Sequence, residues 1–397
     1  MSRPISCVTR RILDCLYVQK SSYQKSYHKI KFSGPHALER GTGGRSSFNG
    51  LVATVFGASG FLGRYVCNRL GKIGTQIVIP YRGNSEDVLC LKLTGDLGQV
   101  LFMPYHLKDN DSVRRAIEYS NIVVNLVGRD WETKNCNFSD INECWPQKLG
   151  LLCREHGGIE KLIHVSALNA CENTKSFLLK EGSRFLKTKW KGEVRLREEF
   201  PDAILVRPSD IYGQEDRFLR KFGSLGRHQF KWMPLYKKGE CTEKQPVYVG
   251  DVAAGIVAIC KDKYSKGITY QAVGPTRYLL SELVDYFHRV MRKTGDLWGY
   301  RRYDLKYDPL FQLRVSLNPY LTFGWPIANL HWETLERESH SDEVSSSLPT
   351  LKDLGINLTR IEDQVPWELK THRAHNYYTM GEMSMFEIPE PPKPISN

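Results

Sequence analysis

VATVFGASGFLG, residues 52–63, decides how the chain is read. Five β-rich apolar residues run into a glycine turn, and an amphipathic helical pattern begins at Phe61 and lasts to about Gly71. The glycines stand at 57, 60 and 63, a G-x-x-G-x-x-G between a strand and a helix. Each has a mechanical reason: Gly57 permits the tight turn, Gly60 lets backbone approach a pyrophosphate, and Gly63 lets the helix press on the sheet. The helix start adds free N–H groups and the positive end of its dipole.

Outward from this loop the pattern alternates. QIVIPYR (76–82), VLFMPYH (100–106), IVVNLVG (122–128), KLIHVSAL (161–168) and AILVRPSDIYG (203–213) are further strands, with helical stretches between them. Continuous apolar strands separated by helices predict an α/β fold, a doubly wound parallel sheet covered on both faces. PVYVGDVAAGIVAIC (246–260) returns to strand and then helix. The organisation expected is a dinucleotide-binding domain of 50–213 with 246–262, and a smaller C-terminal lobe of 214–245 with 275–397. The closing EIPEPPKPISN is expected to be a loose extended end.

The charge is uneven. Residues 1–45 hold nine Lys and Arg against Asp14 and Glu39, which is +7 of the net +12. With apolar residues at helix-like spacing and few acids, residues 1–45 resemble a mitochondrial transit peptide, removed partly or wholly after import. The basic balance therefore does not point to nucleic acid. Ten cysteines are scattered without C-x-x-C or zinc spacing, so no metal site is expected and the thiols are read as free.

The second strand ends in Tyr81-Arg82, and no carboxylate lies between Thr75 and Gly83. An acid near this point would bind a ribose 2′-hydroxyl; an arginine suits a 2′-phosphate, with Arg64 as a second candidate cation. The expected cofactor is NADPH.

GASGFLG, NLVG (125–128), VSA (165–167) and RPSDIYG (207–213) resemble the extended short-chain dehydrogenase/reductase superfamily. GRDWETKN (128–135), RPSDIYGQEDRFL (207–219), KQPVYVGDVAAGIV (244–257) and VGPTRYLLSELV (273–284) more closely resemble the family of nucleotide-binding accessory subunits of mitochondrial complex I, subunit nine of its alpha subcomplex. The likeness runs from about residue 50 to 285, and more loosely through LKDLGINLT (351–359). It implies an NADPH-binding subunit on the matrix side of the inner membrane, with other complex I subunits as partners and a role in assembly and stability. It further implies that Gly57, Ser59, Gly60, Phe61, Leu62, Gly63, Arg64 and Arg82 line the phosphates, and that His106 and Leu107 flank adenine. His106 stands where the superfamily usually has an acid. Asn125 to Gly128, including Val127, pass along the nicotinamide side, with Pro208 at the end of the sixth strand as a further contact.

In the superfamily a serine after the fifth strand works with Tyr-x-x-x-Lys on the next helix, the i, i+4 spacing placing both side chains on one face. Here Ser166 and Lys189 fit the serine and the lysine, and Glu193 continues the trailing acid. Four residues before Lys189, however, stands Phe185, where even the complex I subunit pattern commonly keeps tyrosine. No tyrosine occurs between Ser166 and Ile211. Loss of a general acid costs ~10²–10⁴-fold, so no catalytic residue is assigned and a silent binding site is expected. The alternative is an active NADP-dependent reductase or epimerase using His164, or a water on Ser166, as its acid.

Two surfaces remain. RFLRKFGSLGRHQFKW (217–232) is basic and aromatic, a candidate for lobe packing or for anionic lipid. LFQLRVSLNPYLTFGWPIANLHW (310–332) is apolar but interrupted by Arg314, Pro319 and Pro326. It is not a transmembrane segment, and is predicted to offer an exposed contact to partner subunits or the membrane interface.

Overall fold

The computed structural model of the chain describes residues 39–133, 135–224, 227, 231–293, 300–321, 330–374 and 389–395. Most of the expected leader, parts of 217–232 and residues 322–329 lie outside them.

The six expected strands are β1 (Val52–Phe56), β2 (Gln76–Tyr81), β3 (Val100–Pro104), β4 (Ile122–Asn125), β5 (Lys161–Val165) and β6 (Ile204–Pro208). A seventh, β7 (Thr269–Ala272), was not anticipated. Every pairing is parallel, in the order β7-β6-β5-β4-β1-β2-β3. The order reverses between β1 and β4, and a sheet of this kind opens its crevice beyond the carboxyl ends of the strands at that point.

The helices are α1 (Phe61–Lys72), α2 (Asn110–Ile117), α3 (Trp145–His156), α4 (Arg184–Glu199), α5 (Phe218–Gly223), α6 (Val249–Lys261), α7 (Leu280–Val290), α8 (Pro309–Leu321), α9 (Trp332–Ser339) and α10 (Ile361–Glu368). The two-residue period of the strands divides them between two cores. Val55, Ile77, Ile79 and Val124 meet Val66 and Leu70 of α1 with Val252 and Ile256 of α6. Phe56, Val123, Leu162 and Leu205 meet Val113 and Ile117 of α2, Trp145 and Leu149 of α3, and Leu196 of α4.

Just past β6 a separate cluster begins. Tyr212, Phe218, Phe222, Met233, Leu235, Tyr278, Phe287, Ile361 and Val365 form it. Leu351, Leu354 and Ile356 pack instead on the core of the sheet. The C-terminal stretch is extended but not loose: Pro394 bridges to Tyr278, and the Ile395 N–H donates to Arg277 at 2.9 Å. Among the described residues no helix is long and apolar enough to cross a membrane, and no group of three His, Cys, Asp or Glu could hold a metal.

Candidate functional site

The glycine loop leaves β1 with Gly57 at φ +82°, and a Cβ there would stand 3.0 Å from the Leu126 carbonyl carbon. The loop therefore turns sharply and lies hard against the chain leaving β4. At Gly63 a Cβ would sit 2.5 Å from the Gly57 carbonyl oxygen, so the first turn of α1 is pressed onto the loop. Gly60 is the N-cap of α1, uncapped by any side chain among the described residues, and a Cβ there would meet the Gly57 oxygen at 3.2 Å. Ser59 and Gly60 are exposed. Leu62 packs on the core of the sheet, and Phe61 meets Tyr65 edge-on at 5.8 Å.

The candidate cations have different surroundings. Arg64 is ion-paired with Glu215, both about half exposed. Arg82, exposed past β2, makes no ion pair among the described residues and acts electrostatically on Tyr105 and Arg129. His106 turns back on its own loop, its Nδ1 accepting the Lys108 N–H at 3.2 Å. The Leu107 carbonyl accepts Lys148 Nζ at 2.7 Å, and burial brings that ammonium down to about 8.

The far wall begins at Asn125, a residue that the sequence reading did not single out beyond its place in NLVG. Its Oδ1 accepts Trp145 Nε1–H at 3.0 Å and the Val127 N–H at 3.2 Å, fixing the chain that leaves β4. Its Nδ2–H donates to His164 Nδ1 at 3.0 Å, which leaves the proton of a neutral ring on Nε2. Burial, and then Lys189, hold the His164 pKa well below its usual value. His164 Nε2 and Ser166 Oγ are both buried without a partner among the described residues.

Lys189 projects from α4 into this corner. Its Nζ donates to the Val165 carbonyl at 3.2 Å and would lie 3.4 Å from a Cβ on Gly128. Burial lowers its pKa to about 8, against the opposing pull of Asp130 and Glu193. Glu193 is held by Arg207 of β6, which donates to it through Nε at 3.1 and 3.2 Å and Nη2 at 2.5 Å. The structure thus brings Gly128, Lys189 and the end of β5, just before Ser166, together beside Phe185, whose ring lies 5.8 Å from Lys189 Nζ. Pro208, at the end of β6, is buried, its carbonyl accepting the Leu168 N–H at 2.8 Å.

Above the Phe185 ring lies a group that sequence reasoning missed. Arg337 of α9 stacks its guanidinium 4.3 Å from the ring centroid and donates to Asp130 at 3.1 Å. Arg217 pairs with the same carboxylate. His331 Nε2–H donates to the Asp130 carbonyl at 2.9 Å. Burial would raise the Asp130 pKa, but Arg337 and Arg217 outweigh it and hold the carboxyl well below the usual range. The space beside Phe185 is therefore furnished with the protein's own ion pairs. Only the GRDW motif (128–131) hinted at it, through Asp130.

Residues 53–272 match the NAD dependent epimerase/dehydratase family. Over its whole length the chain is 39% identical to the mouse protein named NADH dehydrogenase [ubiquinone] 1 alpha subcomplex subunit 9, mitochondrial, covering 96% of it. It is 33% identical to the Neurospora crassa NADH-ubiquinone oxidoreductase 40 kDa subunit, over 86% of this chain and 84% of that one. Among solved structures it resembles the Bordetella bronchiseptica enzyme WbmH in complex with NAD+, with a TM-score of 0.56 at 14% identity, over 82% of this chain and 99% of that one.

Proposed function

The chain belongs to the NAD dependent epimerase/dehydratase family, and from that premise we propose that it is a non-catalytic, NADPH-binding accessory subunit of mitochondrial respiratory complex I, supporting its assembly and stability. Relatives that match from end to end and bear that subunit's name support the assignment to complex I and to mitochondria. The matrix side of the inner membrane is the compartment proposed.

The residues present fit a nicotinamide dinucleotide. Gly57 and Gly63 shape the phosphate loop, and among the described residues the α1 N-terminus is uncapped and the buried Ser166 Oγ has no partner. Ser166 and Lys189 would hold the nicotinamide-side ribose, and Gly57 to Gly63 the pyrophosphate. Arg82, with no acid paired to it among the described residues, supports a phosphorylated ribose and hence NADPH. Bound, the group could supply a hydride; the residues around it bind and orient.

One observation carries the claim of silence: a phenylalanine ring under an arginine stands at 185 where proton transfer needs a phenol. The alternative acid, His164, is enclosed, neutral and engaged with Asn125. Held but not turned over, a dinucleotide stabilises the fold by about 4 kcal/mol at a thousandfold excess over its Kd. The exposed face of α8 is proposed as a contact with other complex I subunits or with the membrane interface.

Native fractionation of mitochondria with immunodetection tests the assignment. Co-migration with complex I is expected, and a free soluble pool alone would overturn it. Denaturing the purified protein and identifying the released nucleotide tests the cofactor, with NADH or nothing at all counting against NADPH.

A further inference from the structure

The turn after β6 touches both walls of the crevice. Gly213 lies against the start of α6, where a Cβ would come 2.5 Å from Val249 Cγ1, and near α1, where it would come 3.5 Å from Phe61 Cζ. Glu215 then adopts φ +67°. That left-handed conformation is strained for an ordinary L-residue, and a glutamate side chain is too long for the local relief that Asn or Asp finds. Something must therefore hold it there. The Glu215 carboxylate pairs with Arg64, just past the glycine loop. Two residues on, Arg217 pairs with Asp130 and stacks 5.1 Å over Trp131, both on the chain that leaves β4. Between them Asp216 is buried; its carboxylate accepts the Leu219 N–H at 3.0 Å and its own N–H donates to Gly213 at 3.1 Å. A turn anchored in its middle thus sends one charged side chain to each wall, and the walls follow β1 and β4, the strands between which the sheet order reverses.

We infer that the Glu215–Asp216–Arg217 turn is a clasp across the mouth of the dinucleotide crevice, and that Glu215 and Arg217 are positioning residues that slow the departure of the bound dinucleotide. This rests on the reading that the crevice holds one. The far wall can bear the load because Asp130 is also gripped by Arg337 and His331. The near attachment is exposed, so it is the weaker side and the one that salt should loosen.

The test uses the full chain loaded with NADPH and chased with excess NADP+, the loss of dihydronicotinamide fluorescence giving the off-rate. Glu215→Gln and Arg217→Gln should each speed release about two- to fivefold, the range of an exposed ion pair. Added salt should speed release from the parent more than from Glu215→Gln. Glu215→Gly is the discriminating variant: it relieves the left-handed backbone, so its Tm should hold or rise while release still accelerates. A purely structural turn would not separate those two readouts. The clasp is overturned if both Glu215 variants release NADPH within the parent's experimental error. It is equally overturned if they hold NADPH more tightly, since Glu215 would then only compete with the ligand for Arg64. A parent that retains no dinucleotide would remove the binding reading itself, and the clasp with it.

Discussion

A tyrosine at 185 would differ from the phenylalanine by one oxygen, yet restoring it is expected to leave the protein inert. The ring face is covered by Arg337, and the adjoining space holds Asp130 with its two arginines. Phe185→Tyr, loaded with NADPH and offered small carbonyl compounds, should oxidise the cofactor no faster than the parent. Turnover near one per second would show that the missing hydroxyl alone had silenced the site. Lys189 gives a pH signature. Its folded pKa of about 8 lies below the 10.5 of a free lysine. Between those values the unfolded chain binds more protons, so the nucleotide-free protein should gain stability as pH rises through that window, by about 3 kcal/mol. The cost of the buried charge is fully present below about pH 8. In Lys189→Met that gain should vanish from pH-dependent denaturation curves, while NADPH affinity falls. Gly57 was legible from its place in a strand–turn–helix unit, and Ser166 and Lys189 from the resemblance to the superfamily's serine and lysine. Arg337 was not: it meets Phe185 only through the tertiary fold, from a helix far along the chain.

WETLERES, the sequence of α9, has the composition of a solvated surface helix, yet its carboxylates are buried. Glu336 accepts three consecutive backbone N–H groups, from Phe177 at 2.8 Å, Leu178 at 2.7 Å and Leu179 at 2.9 Å. Glu333 takes the Phe185 N–H at 3.0 Å and the Ser183 hydroxyl at the start of α4. One short helix therefore ties down both the loop before α4 and the start of the helix that carries Phe185 and Lys189. Buried donors left without an acceptor are costly, so Glu336→Ala should destabilise the fold by about 3 kcal/mol or more. It should also expose the loop to trypsin at Lys175 and Lys180, read by limited proteolysis; an unchanged Tm with an unchanged digest would refute this. The main strands were legible because buried parallel strands are continuous apolar runs. β7 was not, since TYQA carries Thr269 and Gln271, and what stabilises it is specific. Gln271 donates from its backbone N–H to Pro349 at 2.9 Å and from Nε2 to Ser345 at 2.9 Å. Such pairing depends on residues some seventy positions away, which no local pattern records.

At the scale of the whole molecule, one helix carries an apolar stripe that faces water. The stretch 310–332 was expected to offer an exposed contact, and the described part of α8 does so on one face only. Phe311 and Val315 are buried with Leu305, Leu330 and Leu335. Leu310, Leu313 and Leu317, spaced three and four apart, are 66%, 56% and 43% exposed. A leucine stripe left in water contributes nothing to the isolated fold, so its removal should cost little, within about 0.5 kcal/mol per site. In an assembly, apolar area removed from water contributes about 25 cal/mol per Å². The triple variant Leu310→Ser, Leu313→Ser, Leu317→Ser should therefore keep the parent's Tm and NADPH content, yet fail to join the high-molecular-mass complex on native gels of mitochondria that lack the endogenous protein. Phe311→Ser, on the opposite face, should fail differently, by unfolding before assembly. If the triple variant enters the complex at the parent's level, the exposed leucines are not the contact, and the subunit docks through another surface.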